Sequence, residues 1–383
     1  MEKGYSPYFY KWHPADGELL LDPNDKPERL ANGNTVTPAS FYVSYPLTFL
    51  TYPHIRTVWT ILLLTGAAVT VWIMLKKYEG TSPLFPAGIV ILGLLSSEYW
   101  FHMLERGQIT IFYSLFFACM FYAYREKSKY AEYISGFIGG LFIFFRPFAV
   151  FIGLGFLIHG KMKWVKGSIA GVLTGFILFV APNPSVWKDY FKAMEEYGNE
   201  CQNKGHVIRD APLYLHPATI EGTTNLTVVH DFNLTSMQTI SLYMIKAGIN
   251  YTPFLSYLVC GIIFILSSIP FYYLRKQSSP VKLFLFGYLM YMVAELFLLN
   301  WRNPYNIIEW IFPLFLIAQQ VEKKQTLMLL LFIALLFLHN FPFPFHYQTL
   351  LGELILISLV CYIIFSDLRI RKEIGNRTDS LFK

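Results

Sequence analysis

The chain has 383 residues, of which 54% are hydrophobic and only 15% are charged. Its apolar residues fall in runs of roughly 16–22, the length that crosses a bilayer, which excludes an ordinary soluble enzyme. The formal net charge of +6 resides in loops between these runs, so it is not a signal for nucleic acid as a partner.

In chain order, residues 1–54 are polar, aromatic and rich in proline, which predicts an ordered loop rather than a helix. The rest predicts an all-α, polytopic helical membrane protein with about 11 membrane helices. The predicted divisions are an extracytoplasmic loop at 1–54, site-bearing membrane helices at 55–181, a large extracytoplasmic loop at 182–253, and C-terminal membrane helices with a tail at 254–383. The apolar runs are 55–75, 83–97, 109–124, 131–145, 148–159, 165–181, 254–274, 283–299, 305–320, 325–339 and 349–366.

Clusters of Lys and Arg follow alternate apolar runs, beginning with Lys76 and Lys77 and ending with Arg369, Arg371 and Lys372. Basic residues concentrate on the cytoplasmic side of membrane proteins. This pattern predicts a multi-pass protein whose N-terminus lies outside and whose C-terminus lies in the cytoplasm.

The stretch 130–159 fits this alternation only if it forms two short helices that turn at Arg146 and Pro147. Proline removes a backbone donor and restricts the residue before it, so a break is expected there. Each half would be about 20 Å long, too short for a hydrocarbon core of about 30 Å. Arg146 is therefore predicted to lie at or just under the outer headgroup level.

The loop 182–253 opens with an amphipathic segment that predicts an interfacial helix. Such a helix could border a lateral entrance for a lipid or merely anchor the loop. Its predicted apolar face comprises Trp187, Tyr190, Phe191, Met194 and Tyr197.

A polar island from Ser97 to Gln108 interrupts two apolar runs. Within it, Glu98, His102 and Glu105 share one face if the segment is helical. A carboxylate beside a histidine suits acid–base chemistry or metal binding, although such residues also simply solvate a helix end. Arg106 and Gln108 are candidates for binding sugar hydroxyls, since glutamine both donates and accepts hydrogen bonds.

Arg146 is the strongest single candidate, because an arginine at this depth needs an anion and a lipid phosphate offers bidentate acceptors. The alternative is an internal salt bridge to Glu98 or Glu295. Arg302 is a weaker candidate for the same role, since an arginine at a helix end can snorkel. Glu295 and the nearby Glu309 are predicted to balance charge rather than react.

Five short motifs occur in order along the chain: Tyr45-Pro46-Leu47, Gly107-Gln108, Arg146-Pro147, Asn233 to Ser236, and Asn303-Pro304-Tyr305. Together they resemble the GT-C superfamily of membrane glycosyltransferases, most closely glycosyltransferase family 87. The resemblance implies transfer of a hexose, such as mannose, from a polyprenyl-phosphate donor to a lipid- or glycan-linked acceptor. The reaction would take place on the outer side of a bacterial cytoplasmic membrane and invert the configuration of the sugar's anomeric carbon. The resemblance implies no cofactor, and the requirement for a divalent metal stays open.

The start of the chain departs from the family pattern. Gly4-Tyr5-Ser6-Pro7-Tyr8 resembles the segment that follows the family's catalytic aspartate, so the first span and that aspartate are not seen. Truncation is the favoured explanation. Otherwise Asp16 or Asp22 has taken the role, or the protein is inactive.

The resulting assignment is a polyprenyl-phosphate-sugar-dependent hexosyltransferase that contacts membrane lipids and no nucleic acid. The alternatives are a lipid-linked glycan transporter or flippase, and a non-catalytic membrane homologue. The predicted catalytic residues are Asp16, Asp22, Glu98 and His102, with no metal ligands. The predicted substrate-binding residues are Arg106, Gln108, Arg146, Asn233, Ser236, Arg302, Asn303 and Tyr305.

Overall fold

The computed structural model describes residues 6–9, 36–80, 82–105, 107–203, 253–276, 278–298, 304–322, 324–339 and 348–381. All regular secondary structure in these ranges is helical. The α-helices are α1 Pro38–Ser44, α2 Tyr52–Lys76, α3 Leu84–Val90, α4 Glu98–Glu105, α5 Thr110–Tyr124, α6 Ala131–Phe142, α7 Ile152–Ile158, α8 Met162–Gly175, α9 Pro184–Asn203, α10 Pro253–Leu274, α11 Pro280–Leu298, α12 Ile311–Val321, α13 Gln325–Leu338 and α14 Gln348–Leu381.

Several helices are extended or interrupted by tighter or wider turns. Three 3₁₀ segments, Tyr45–Phe49, Pro147–Phe151 and Pro304–Trp310, each carry a proline among their first two residues. The fixed φ and missing N–H of proline suit the start of such a segment. Two π turns, Ile91–Leu95 and Phe176–Val180, extend α3 and α8.

Within the described residues, five helices are long and apolar enough to cross a membrane. A sixth span results if the pair Leu84–Leu95 and Glu98–Glu105, bent by 66°, is counted as one. Each predicted apolar run coincides with a helical segment, which confirms a multi-pass helical membrane protein. The shorter apolar helices include Thr110–Tyr124 and Gln325–Leu338. The number of about 11 crossings therefore stays a prediction.

The prediction of a helix-free loop up to residue 54 was wrong at its C-terminal end. Residues 38–44 form α1, a 3₁₀ segment follows, and α2 begins at Tyr52. Pro38 and Pro53 lie in the first turns of α1 and α2, where proline is pre-organised for a helix.

The predicted break at Arg146 and Pro147 is confirmed as a hairpin. Arg146 is extended, with φ −142° and ψ 95°, between the end of α6 and the 3₁₀ segment that leads into α7. Lys161 Nζ lies 2.9 Å from Glu132 Oε1, which brings the start of α6 beside the end of α7. The basic clusters on either side of the hairpin therefore lie at the same end of the helix bundle.

Helices α6 and α8 pack with their backbones in direct contact. A Cβ atom placed on Gly140 would collide with the carbonyl oxygen of Ser168, and one on Gly171 with that of Phe137. Small residues allow such close approach between membrane helices. This contact fixes the hairpin against the rest of the bundle.

Charged side chains join the loops at the basic end. Lys77 pairs with Glu126 at 2.7 Å, and Arg125 pairs with Glu79. The hydrogen bond from Arg125 lowers the pKa of Glu79. Grouping of the basic loops at one end agrees with the predicted alternation, while the assignment of that end to the cytoplasm stays a prediction.

Candidate functional site

The tip of the α6–α7 hairpin carries a buried ion-pair cluster. Arg146 Nη2 donates to Glu295 Oε2 in a short contact and to Glu309 Oε1 at 3.4 Å. Both glutamates are fully buried, whereas 16% of the arginine side chain is exposed. The predicted alternative, an ion pair between Arg146 and Glu295, is thus present, with Glu309 as a second carboxylate.

Tyrosine side chains complete this cluster. Arg146 Nε donates to the Tyr291 hydroxyl at 3.2 Å, and that hydroxyl donates to Glu309 Oε2 at 2.7 Å. The guanidinium lies over the Tyr113 ring, 5.1 Å from its centroid. Charges in a low-dielectric interior persist only when they are paired and hydrogen-bonded, so this network fixes the orientation of the guanidinium.

Glu309 is held by the 3₁₀ segment Pro304–Trp310. The Ser114 hydroxyl of α5 donates to the carbonyl oxygens of Ile308 and Glu309 at 3.0 and 3.1 Å. The next residue, Trp310, donates from Nε1 to Glu353 Oε1 of α14 at 2.9 Å. The carboxylate of Glu309 therefore sits on a backbone fixed from two neighbouring helices.

Helix α9 covers the hairpin tip from outside the bundle. Trp187 and Tyr190 are buried in a separate apolar cluster that also contains Tyr8, Ala39 and Phe144. The predicted helix is confirmed, and Phe191, which is 60% exposed, lies beside Trp187 and Tyr190 as the predicted apolar face requires. The side chain of Tyr197 lies outside the described residues. Tyr8, Ala39 and Phe144 cover part of this face, and the choice between a lateral entrance and an anchor stays a prediction.

Tyr190 connects this covering helix to the ion-pair cluster. Burial raises the pKa of Tyr190 to about 12, while the charge of Arg146 lowers it and that of Glu295 raises it. The side chain is only 7% exposed. Tyr190 is therefore a buried phenol within electrostatic reach of Arg146.

The polar island at Ser97 to Gln108 forms helix α4 and the turn after it. Glu98 Oε1 lies 3.5 Å from His102 Nε2, as the helical spacing predicted. Trp59 Nε1 donates to the Gly107 carbonyl oxygen at 2.7 Å, and Gly107 has a left-handed φ of 62°, which favours glycine. Helix α4 packs against the segment Pro304–Trp310 that carries Glu309.

The sequence model of glycosyltransferase family 87 matches residues 35–299 of this chain. The chain belongs to glycosyltransferase family 87. It is therefore a membrane glycosyltransferase by family, and the predicted resemblance is confirmed. Neither the comparison with curated proteins nor that with solved structures returned a match.

Only some predicted site residues of this family 87 protein can be placed. Arg146 lies in the ion-pair cluster, Tyr305 is buried at the start of the adjoining 3₁₀ segment, and Glu98, His102 and Gln108 lie along or just after α4. The functional roles of all of them stay predictions. Predicted residues outside the described part of the chain are Asp16, Asp22, Arg106, Asn233, Ser236, Arg302 and Asn303.

Sequence reasoning missed the tyrosines of the site. Tyr113, Tyr190 and Tyr291 lie in apolar or amphipathic segments where aromatic residues are ordinary packing groups. The one signal for Tyr291 was its position four residues before Glu295, which places both on one face of α11. Among the described residues, no group of three or more His, Cys, Asp or Glu side chains could hold a metal ion.

Proposed function

We propose that this family 87 protein transfers a hexose from a polyprenyl-phosphate donor to a lipid- or glycan-linked acceptor on the extracytoplasmic side of the membrane. The observation that carries the proposal is the buried Arg146 cluster at the tip of the short hairpin, at the end away from the basic loops. A guanidinium in this position suits the phosphate of a lipid-linked donor.

The depth of the hairpin supports a lipid-linked donor. Helix α6 has 12 residues, so it rises only about 18 Å at 1.5 Å per residue. A hydrocarbon core is about 30 Å thick, so a hairpin that starts at the cytoplasmic surface ends below the outer one. A phosphate attached to a polyprenyl chain lies near that outer boundary, whereas a cytosolic nucleotide sugar does not reach it.

The proposed reaction is a single displacement. A carboxylate removes the proton of the acceptor hydroxyl, whose oxygen forms a bond to the anomeric carbon. The bond from that carbon to the phosphate oxygen breaks, and the polyprenyl phosphate leaves with the electron pair. Arg146 would stabilise the departing phosphate, with Arg302 as a second cation, and attack from the opposite face inverts the anomeric centre.

The remaining roles follow the sequence predictions. The base would be Asp16 or Asp22, which lie outside the described residues, with Glu98 and His102 as further candidates. Sugar or acceptor hydroxyls would be bound by Arg106, Gln108, Asn233, Ser236, Asn303 and Tyr305.

The test of this function is hexose transfer by the purified full chain in proteoliposomes. Radiolabelled polyprenyl-phosphate mannose or glucose is the donor, and a lipid extract from the source membrane supplies acceptors. We expect label in a lipid or glycan product and release of polyprenyl phosphate. The proposal would be overturned if only a nucleotide sugar served as the donor, or if the folded protein transferred hexose from none of the donors.

Glu309 gives a sharper kinetic prediction. If it only balances charge, Glu309→Gln should keep kcat within about tenfold and leave KM for the donor equal or lower, because one negative charge near the phosphate is removed. Glutamine can still accept a hydrogen bond from Tyr291. The control is Glu353→Gln, which alters another buried carboxylate bonded to Trp310. A loss of kcat of about a thousandfold in folded Glu309→Gln would place Glu309 in the chemistry instead.

A further inference from the structure

Three hydrogen-bond donors in the Arg146 cluster have no acceptor among the residues that the structure describes. Arg146 uses Nε and Nη2 for Tyr291 and the two glutamates, and its Nη1 donates to no atom within the described residues. In the same part of the chain, the hydroxyls of Tyr113 and Tyr190 also donate no hydrogen bond, although each side chain is only 7% exposed. These two hydroxyls and Nη1 are not fully enclosed by protein atoms, so a ligand or water can reach them and accept their hydrogen bonds.

The three residues that carry these donors lie near one another at the hairpin tip. The Arg146 guanidinium lies 5.1 Å from the centroid of the Tyr113 ring. Tyr190 packs in the cluster that contains Phe144 and Phe145, the two residues before Arg146. Tyr190 also interacts electrostatically with both Arg146 and Tyr113. Arg146 and Tyr113 belong to the bundle, whereas Tyr190 belongs to the covering helix α9.

The cluster thus has two differently used sides. Glu295, Glu309 and Tyr291 hold the guanidinium through Nε and Nη2. Nη1 and the two phenols are the other side in the sense that their donors make no hydrogen bond within the described residues. A phosphate carries several strong acceptor oxygens and no donor in its ionised form, so its chemistry matches this side.

We propose that Tyr113 and Tyr190 bind the phosphoryl oxygens of the donor together with Nη1 of Arg146, so that helix α9 supplies part of the phosphate site. This inference rests on the proposed function and extends it, because it assigns two binding residues that the sequence motifs do not contain. It also gives the packing of α9 on the hairpin tip a role in donor binding.

The experiment measures binding of a short-chain polyprenyl phosphate, and of the matching polyprenol, to the full chain in nanodiscs. Tyr113→Phe and Tyr190→Phe keep the ring and its packing but remove the hydroxyl. Each should weaken binding of the polyprenyl phosphate by about tenfold or more, the value of a hydrogen bond to a charged group. Binding of the polyprenol should not change, and inorganic phosphate added as a competitor separates headgroup binding from chain binding.

Two other tyrosines provide matched controls. The ring of Tyr8 packs on Tyr190, and its hydroxyl, which Tyr8→Phe removes, donates to the Val36 carbonyl oxygen at 2.7 Å. Tyr130→Phe removes the hydroxyl of an exposed tyrosine at the basic end. Neither should change the affinity for polyprenyl phosphate by more than about twofold. If Tyr113→Phe does not fold, Tyr190→Phe carries the test alone, because its helix packs on the outside of the bundle.

The possible outcomes separate this inference from the function on which it rests. If the unmodified protein prefers polyprenyl phosphate to polyprenol, and both phenylalanine variants keep that preference, the phenols do not bind the phosphate and only this inference fails. If the unmodified protein shows no such preference and transfers no hexose, the proposed function fails as well. A selective loss in Tyr113→Phe and Tyr190→Phe supports both.

Discussion

Arg146→Met should lower the free energy of unfolding by about 3–5 kcal/mol, because it leaves two fully buried carboxylates without the cation that they share. Glu309→Gln should lower the free energy of unfolding by less, because Arg146 keeps its contact with Glu295. The measurement is thermal or denaturant unfolding of the purified variants in one detergent. The expected order of stability is unmodified protein, then Glu309→Gln, then Arg146→Met.

An exposed ion pair supplies the control for this effect. Arg125 pairs with Glu79, whose side chain is 56% exposed, so Arg125→Met should cost about 1 kcal/mol or less. Equal destabilisation by Arg125→Met and Arg146→Met would contradict the view that burial of the two glutamates makes the Arg146 cluster costly to disrupt. So would an Arg146→Met protein as stable as the unmodified one.

Gly140→Ala should destabilise the protein by about 3 kcal/mol, at the upper end of the cost of overpacking. The added methyl group would meet the Ser168 carbonyl oxygen, and a backbone atom cannot turn away as a side chain can. Helices α6 and α8 would have to separate, which displaces the hairpin tip. We therefore also expect weaker donor binding, measured as a rise in KM in the transfer assay.

Gly261→Ala is the control, because a Cβ atom added there in α10 would meet no described atom of a neighbouring helix within 4 Å. This variant should change stability by no more than about 1 kcal/mol, the helix-propensity difference between the two residues. If Gly140→Ala were as stable and as active as Gly261→Ala, the α6–α8 contact would not determine the position of Arg146.

The hairpin shows what a sequence can predict. Pro147 gave a local reason for a break, and the basic clusters around it gave a topological one, so both pointed to the same turn. Helix α1 was missed because its residues look like the polar, aromatic loop before them. The apolar face of α9 followed from residue spacing, but only packing against Tyr8 and Ala39 decides that Trp187 and Tyr190 are buried while Phe191 stays exposed.

The partners of Arg146 could be predicted only in part. Glu295 was one of two carboxylates proposed for an ion pair, since both lie in or beside apolar runs where a charge needs a counter-ion. The contacts with Tyr113, Tyr291 and Glu309 join segments that are far apart in the chain. Periodicity and residue type predict which segments are helices, but they do not determine which side chains meet between them.

The role of the Arg146 cluster in hexose transfer is tested most directly by removing an ion pair as a unit. Arg146→Gln/Glu295→Gln loses one positive and one negative charge together, and Glu309 keeps the hydrogen bond from Tyr291. The matched control is Arg125→Gln/Glu79→Gln at the basic end.

The measurement is kcat/KM for transfer from a polyprenyl-phosphate hexose in proteoliposomes. We expect the Arg146 double variant to remain folded and its kcat/KM to fall by about a hundredfold or more, which is the effect of removing one preorganised donor to a developing anion. The kcat/KM of the control should stay within about twofold of that of the unmodified protein. Transfer by the folded Arg146 double variant at the rate of the unmodified protein would contradict a phosphate site at Arg146.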